Sequence, residues 1–175
     1  MVRLVAHWLR RRHALWSGLK LAGILLIGLG VALPAAARID SYVNQYLRVS
    51  GDIELPSNAA GDPVTITPDQ LALGKNLFQS SCINCHVGGA TLPDPRISLS
   101  MDDLQGATPA RDNLAALMAF QRDPSNYDGT DVSFGCREVS KVWMDDDQLQ
   151  ALAAFLLRSA QVAPNWGQAQ LERGG

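Results

Sequence analysis

One stretch of the sequence decides the fold: Ser80-Ser81-Cys82-Ile83-Asn84-Cys85-His86. It contains the pattern Cys-x-x-Cys-His, which is the attachment site for c-type haem. Two cysteines three positions apart at a helical turn can direct their sulfurs to the two vinyl groups on one edge of a porphyrin. The histidine that follows can then place its imidazole under the ring. We therefore expect thioether bonds to one haem c at Cys82 and Cys85, and a proximal iron ligand at His86.

Two other kinds of site use closely spaced cysteines, and the surrounding sequence disfavours both. A thioredoxin-like redox pair requires a βαβ pattern around it, whereas the residues flanking this motif have helical periodicity. A zinc site requires a second pair of ligands, and after residue 37 the chain contains no histidine other than His86. Haem c is the interpretation that the motif favours.

The first 37 residues have the pattern of an export signal. They carry five basic residues and no acidic one, and the basic region ends at Lys20. Residues 21–33 are all apolar or glycine, and Pro34 and three alanines follow. A helix of that length spans only ~20 Å, whereas the hydrocarbon core of a membrane is ~30 Å thick. We therefore predict a signal peptide over residues 1–37, cleaved after Ala37, with no stable membrane span afterwards.

Removal of this leader changes the charge of the protein. The full chain of 175 residues has a formal net charge of -2, but residues 38–175 hold 10 basic and 17 acidic side chains, a net charge of -7. We expect no nucleic-acid partner, because an acidic surface repels phosphate. Such a surface would instead steer the protein towards basic patches on a partner protein.

Helical patterns surround the motif. Thr67-Pro68 combines a hydroxyl cap with a proline where no amide donor is needed, and so predicts a helix that runs into Cys82. Gly74 within it predicts close approach by another helix, and we expect this to be the last one. That last helix is predicted to begin at Asp145, where Gln148 completes a capping box. Thr108-Pro109 predicts the start of a further helix between the two.

The remaining patterns complete the predicted architecture. Residues 53–55 and 64–66 flank a Gly-Asp turn and predict a small β-hairpin. Residues 38–52 have apolar side chains at helical spacing, which predicts an amphipathic helix of about three turns. We expect this N-terminal extension to pack on the domain; a contact with a partner or a membrane surface is the other interpretation. Residues 53–175 are expected to form an all-α, cytochrome c-like domain around a covalent haem, with the hairpin near its N terminus.

Four stretches of the chain can be matched to a known family. They are LGKNLFQ (73–79), CINCHVGG (82–89), ATPARDN (107–113) and DPSNYDG (123–129). Through them, residues 67–157 resemble the cytochrome c-550 (PsbV) family, the extrinsic c-type cytochromes of cyanobacterial and algal photosystem II. The resemblance implies a helical, haem-bearing protein of the thylakoid lumen, with two histidine axial ligands, a low reduction potential and a possible contact with the lumenal face of photosystem II.

The chain departs from this family at two places. Where the family has its distal histidine, after the Tyr-Asp-Gly turn, this sequence reads Ser133-Phe134-Gly135-Cys136-Arg137. The segment from there to the last helix is shorter than in the family. The C terminus, Leu171-Glu172-Arg173-Gly174-Gly175, replaces the aromatic tail with which family members dock on the photosystem. The resemblance is therefore to the c-550-like paralogous branch, with cysteine in place of the distal histidine.

Cys136 is the first candidate for the distal iron ligand. It is an odd cysteine in an oxidising compartment, 50 residues after His86. The charge of a ferric ion would deprotonate its thiol, and the thiolate would favour Fe(III) and keep the potential low. Met144, just before the last helix, is the alternative and would raise the potential. An open or water-bound position is the third.

These observations predict a low-potential monohaem cytochrome of the thylakoid lumen that transfers electrons in photosynthesis to or from a lumenal redox partner. The alternative is an extrinsic structural subunit of photosystem II, or a substitute for one, whose haem is largely redox-silent. An enzyme acting on a small ligand or peroxide is disfavoured, because no distal histidine remains for acid–base chemistry after cleavage. We expect no enzymatic activity.

Overall fold

Five α-helices and one small hairpin make up the described part of the chain. The structure, a computed structural model, describes residues 38–94 and 96–168. The elements in chain order are α1 (Ser41–Gln45), β1 (Ile53–Pro56), β2 (Pro63–Ile66), α2 (Pro68–Ser81), a 3-10 turn (Val87–Gly89), α3 (Met101–Gly106), α4 (Leu114–Arg122) and α5 (Asp146–Val162). The predicted helical domain with a hairpin near its N terminus is confirmed. The predicted signal peptide lies outside the described residues.

The hairpin pairs β1 with β2 in antiparallel register. Ile53 lies opposite Ile66, and Pro56 lies opposite Pro63. The connecting turn contains Gly61 at a φ of +80°, a backbone conformation that glycine adopts without steric cost. Thr67 follows β2 directly, so the hairpin leads straight into α2.

Both long helices begin with a capping box. At α2 the Thr67 hydroxyl accepts a hydrogen bond from the Gln70 amide, and the Gln70 side chain accepts one from the Thr67 amide. At α5 Asp145 and Gln148 make the same reciprocal pair, at 2.8 and 3.1 Å. Each pair satisfies two amides that the helix itself leaves without acceptors. Both predicted helix starts are confirmed.

Gly74 allows α2 and α5 to approach each other closely. A Cβ atom at residue 74 would lie 2.0 Å from the carbonyl oxygen of Ala151 and 2.7 Å from Cβ of Phe155. Leu71 and Phe78, on the same face of α2, are buried against the core. The predicted contact between the two helices is therefore confirmed, and it leaves no space for a side chain larger than hydrogen.

An aromatic cluster holds the end of α5 near the end of α2. The ring centroids of Phe78 and Phe155 are 5.5 Å apart, and the Trp166 ring lies 5.4 Å from Phe78 and 5.8 Å from Phe155. The indole N–H of Trp166 donates a hydrogen bond to the Leu99 carbonyl at 2.9 Å. The cluster thereby connects both long helices to the loop that follows the Cys-x-x-Cys-His motif.

The N-terminal segment packs on the domain, but its helix is shorter than predicted. α1 has five residues instead of about three turns. Arg48 has a φ of +55°, which turns the backbone out of the helical path, and Arg158 of α5 donates to the Leu47 carbonyl at 3.0 Å. Asp40 caps α1 and forms an ion pair with Lys75 of α2. The apolar residues buried here are Val43, Leu47 and Val49.

α4 begins at Leu114, so the start predicted at Thr108-Pro109 is wrong. The Asn113 side chain caps the helix by accepting a hydrogen bond from the Ala116 amide at 3.0 Å. The preceding backbone is paired elsewhere: Thr108 N–H donates to the Tyr127 carbonyl, and Arg111 N–H to the Leu104 carbonyl. Asn113 itself has an extended backbone, with φ -143° and ψ 166°, so no helix that starts at Pro109 could continue through it into α4. No helix in the described residues is long and apolar enough to cross a membrane.

We expect Gly74→Ala to lower the free energy of unfolding by up to about 2 kcal/mol. Alanine favours helices by ~1 kcal/mol over glycine, but its methyl group would overlap the Ala151 carbonyl, and overpacking typically costs ~1–3 kcal/mol. Urea denaturation followed by circular dichroism measures the difference. Gly51→Ala is the matched control, because a Cβ at residue 51 would have nothing within 4 Å. Equal stability of the two variants would contradict the close contact.

Candidate haem site

The Cys-x-x-Cys-His motif forms a tight turn at the end of α2. The Cys82 amide makes the last helical hydrogen bond, to the Phe78 carbonyl at 2.8 Å. The amides of Cys85 and His86 then both donate to the Cys82 carbonyl, at 3.1 and 3.0 Å. Burial, together with the nearby thiols of Cys136 and Cys85, raises the pKa of the Cys82 thiol to about 11. The turn thus brings the two motif cysteines into one neighbourhood, with Cys82 as a protonated thiol.

The His86 ring is half-buried and held by one side chain. Its Nδ1 atom lies 3.2 Å from the hydroxyl oxygen of Thr91. Burial lowers the pKa of His86, which a backbone hydrogen bond with Ala90 partly opposes. The ring is therefore neutral at neutral pH, as a metal ligand must be. The Thr91 hydroxyl can accept a hydrogen bond from Nδ1–H, and in that tautomer Nε2 is available for a metal ion.

The chain after His86 turns sharply and is fixed against the end of α5. Gly88 and Gly89 have φ values of +60° and +83°, and a Cβ at residue 89 would lie 2.6 Å from the Trp166 ring. The Gly167 amide donates to the Gly88 carbonyl at 2.9 Å, and the Leu99 amide to the Gly89 carbonyl at 2.7 Å. Glycine is favoured at both positions because of the positive φ values. At residue 89 it is also required because a side chain would overlap the Trp166 ring.

Cys136 lies in a loop that the structure brings to the motif. Its half-buried thiol is near enough to Cys82 and Cys85 for their charges to interact. Burial raises the pKa of Cys136, and the Arg111 guanidinium opposes this shift. The loop is held by the Ser133 side chain, which accepts a hydrogen bond from the Cys136 amide at 3.2 Å. Three thiols and one neutral imidazole therefore come from two parts of the sequence into one region.

Met144 lies in a different environment. Its side chain is only 2% exposed and belongs to the apolar core packed around α5. Its backbone is fixed as well, because its carbonyl accepts a hydrogen bond from Arg122 at 3.0 Å. Met144 therefore has almost no free surface with which to reach a cofactor beside the motif.

Large apolar side chains that remain exposed are concentrated in the motif and in the loops around it. Phe134 is 92% exposed and Val142 is 99% exposed. Contiguous exposed apolar surface often marks a ligand-binding site, and an apolar group bound beside the motif would remove part of this surface from water. This surface and the donor set of thiols and imidazole fit a covalent haem. The exposed apolar residues near the site are Ile83, Val87, Leu92, Val132, Phe134, Val142 and Trp143.

The structure also shows residues at the site that we did not predict from the sequence. Thr91 contacts His86, and Trp166 fixes the turn after it. Neither belongs to a helix, a strand or a recognisable short motif, and each acts through a side-chain contact that no sequence pattern reveals.

A helical domain with a Cys-x-x-Cys-His turn belongs to the class of monohaem c-type cytochromes. Residues 48–173 match the family model described as the cytochrome c-550 domain. A cytochrome c-550-like protein of Synechococcus sp. (strain JA-3-3Ab) is 60% identical over 152 residues, covering 87% of this chain and 85% of the relative. The photosystem II extrinsic protein V of Gloeobacter violaceus is 47% identical over 168 residues, covering 93% and 91%.

A solved structure shares this fold. The crystal structure of the PsbV2 cytochrome from the cyanobacterium Thermosynechococcus elongatus is 55% identical and matches with a TM-score of 0.73, covering 74% of this chain and 99% of that chain. The chain therefore belongs to the cytochrome c-550 family. Its cofactor is a single covalent haem c, as the sequence motif predicts.

We expect Thr91→Val to raise the reduction potential of the haem-loaded protein by tens of millivolts. The Thr91 hydroxyl accepts a hydrogen bond from His86 Nδ1–H when Nε2 is bound, which makes the imidazole a stronger donor and favours Fe(III). A tenfold loss of that preference corresponds to about 59 mV for one electron. Potentiometric titration measures the shift. Thr91→Ser keeps the hydroxyl and serves as the control, and equal potentials in all three proteins would contradict the role.

Proposed function

We propose that the protein is a low-potential monohaem cytochrome that carries single electrons in photosynthesis. Cys82 and Cys85 hold the haem by thioether bonds, His86 is the proximal iron ligand, and Cys136 is the distal one. When bound, haem c supplies a one-electron Fe(III)/Fe(II) couple. The observation that supports this proposal most strongly is the position of the Cys136 thiol, which interacts with both motif cysteines although it is 51 and 54 positions away in the sequence.

Each of these residues has a distinct physical task. The two thioether bonds fix the edge of the macrocycle to the end of α2. His86, held by Thr91, presents Nε2 from the turn. Cys136 supplies an anionic ligand, and a negative charge beside the iron stabilises the more highly charged ferric state. A thiolate therefore lowers the reduction potential, whereas a neutral methionine in the same place would raise it.

The burial of Met144 supports Cys136 over the other sulfur ligand. Met144 would have to leave the apolar core to reach the iron, and exposing a buried methionine costs about 1.5–3 kcal/mol. Cys136 is already half-buried beside the motif. It is also the residue that stands where the sequence resemblance places a distal ligand.

We further propose that the protein works in the thylakoid lumen. The export-signal pattern of residues 1–37 supports translocation, and the relative from Gloeobacter violaceus is named for photosystem II. The net charge of -7 over residues 38–175 would speed encounter with a basic redox partner. This electrostatic attraction would weaken as ionic strength rises.

A redox titration of the haem-loaded protein, followed by absorption and electron paramagnetic resonance, tests this assignment. We expect a low-spin ferric form with thiolate ligation and a low midpoint potential. Cys136→Ser should lose the thiolate spectrum, and Cys136→Met should raise the potential. Met144→Leu, which keeps the side-chain volume, should leave both properties unchanged. An unchanged ferric spectrum in Cys136→Ser would rule out Cys136 as the ligand, and a potential far below every lumenal donor would rule out simple electron carriage.

A structural role is the second candidate function. It is favoured by the 47% identity to a photosystem II extrinsic protein over 93% of this chain. In that role the haem would stabilise the domain and the surface would bind the photosystem. Purification of photosystem II from cells that express the tagged protein separates the two. One bound copy per photosystem favours the structural role, whereas free lumenal protein that is reversibly reduced favours electron carriage.

A further inference from the structure

The turn between Val139 and Met144 is held at both ends by one arginine. These two residues are buried, at 6% and 2% exposure, whereas the four residues between them are exposed. Arg122, the last residue of α4, donates from one terminal nitrogen to the Val139 carbonyl at 2.7 Å and to the Met144 carbonyl at 3.0 Å. Residues 139–144 are called the clamped turn below. One guanidinium therefore fixes both points at which this turn meets the core.

The other terminal nitrogen of Arg122 holds the guanidinium itself in place. It donates to a carboxylate oxygen of Asp146, in the first turn of α5, at 2.7 Å. The Arg122 side chain is only 21% exposed, and hydrogen bonds from a charged donor are stronger than those from a neutral one. Arg122 thereby joins the end of α4, the clamped turn and the start of α5.

The clamped turn lies between the two sulfur residues that are candidates for the distal ligand. Cys136 is three residues before the turn, and Met144 is its last residue. The Val139 amide also donates to the carbonyl of Gln121, the neighbour of Arg122 in α4, at 2.8 Å. Met144 therefore cannot leave the core without losing its bond to Arg122, and the chain that leads back to Cys136 starts from a fixed point.

The choice between these two sulfurs matters most when the iron is reduced. A thiolate favours Fe(III), because its negative charge lies beside the more highly charged ion. A neutral methionine sulfur instead raises the reduction potential, which means that it favours Fe(II). Reduction therefore weakens the advantage of Cys136, and the reduced protein is the state in which Met144 competes best. A fold that retains Cys136 in both oxidation states must hold Met144 away from the iron.

We propose that Arg122 is a positioning residue that keeps Met144 in the core and so determines which sulfur binds the iron. The inference rests on the proposed function, because it requires Cys136 to be the distal ligand. Arg122 acts on this choice through the backbone carbonyls of the clamped turn. Without its hydrogen bonds, the turn should release Met144 to replace the Cys136 sulfur when the iron is reduced.

Proton NMR of the ferrous, haem-loaded protein detects this replacement. A methionine bound to haem iron gives a strongly upfield-shifted methyl resonance, because the methyl group lies in the ring current of the porphyrin. We expect no such resonance in the unmodified protein and its appearance in Arg122→Leu, which removes all three hydrogen bonds. The reduction potential of Arg122→Leu should rise as well, by about 59 mV for each tenfold gain in preference for Fe(II).

Two matched variants separate the carbonyl contacts of Arg122 from its ion pair. Lys141→Leu removes the second cation that binds Asp146, at 3.0 Å, and leaves every contact of Arg122 in place. Asp146→Asn removes the negative charge shared by both cations and leaves the bonds from Arg122 to Val139 and Met144. Neither variant should show the methyl resonance, and its appearance in Lys141→Leu would contradict a specific role for Arg122.

A double variant identifies the sulfur that gives the signal. Arg122→Leu combined with Met144→Leu should lose the resonance, and a resonance that persists there would overturn the proposal. Absence of the resonance in folded Arg122→Leu would overturn it too. If Arg122→Leu fails to fold, Arg122→Lys decides. Lysine can pair with Asp146 but lacks the planar fork that reaches both carbonyls, so the resonance should appear in that variant, and its absence would contradict the proposal.

The unmodified protein tells the two proposals apart. If its ferric spectrum lacks thiolate ligation, the proposed function loses its distal ligand and the role of Arg122 fails with it. If thiolate ligation is present and Arg122→Leu shows no bound methionine, only the role of Arg122 is wrong.

Discussion

The close contact of α2 with α5 at Gly74 is the constraint on which the site depends. Because the backbone of Ala151 occupies the space that a side chain at residue 74 would need, the two helices have one relative position. α2 therefore ends at a defined place, and the Cys-x-x-Cys-His turn follows within one residue of that end. Trp166, just beyond α5, packs on Phe78 and on Gly89, so both sides of the turn are fixed by the same pair of helices.

Local signals in the sequence predict most of this arrangement correctly. These signals are the haem motif, the caps at Thr67 and Asp145, the hairpin pattern, and the glycine at position 74. Each is recognised from residues that are only a few positions apart. The prediction that α4 starts at Pro109 is wrong, because Asn113 has an extended backbone and the segment before it is held by hydrogen bonds to Leu104 and Tyr127, which no local pattern reveals. For the same reason α1 is shorter than its apolar periodicity predicts: Arg158, more than 100 positions away, binds the Leu47 carbonyl.

The sequence predicts the haem-attachment residues and the proximal ligand better than the distal ligand. Cys82, Cys85 and His86 are contiguous and define their own chemistry. Cys136 and Met144 are both sulfur residues near the last helix, and sequence position alone left the choice between them open. Burial distinguishes them, because Met144 is enclosed in the core while Cys136 lies beside the motif. Thr91 and Ser133 contact one ligand each of the proposed pair, His86 and Cys136, and these contacts form only in the folded chain.

The central claim is that one iron has His86 on one side and the Cys136 thiolate on the other. Iron K-edge X-ray absorption of the ferric, haem-loaded protein tests it most directly, because sulfur and nitrogen ligands scatter differently and the thioether sulfurs do not bind the metal. The account predicts one sulfur in the iron coordination shell, and its loss in Cys136→Ser. A shell of nitrogen and oxygen alone in the unmodified protein, or a sulfur that persists in Cys136→Ser, would contradict it.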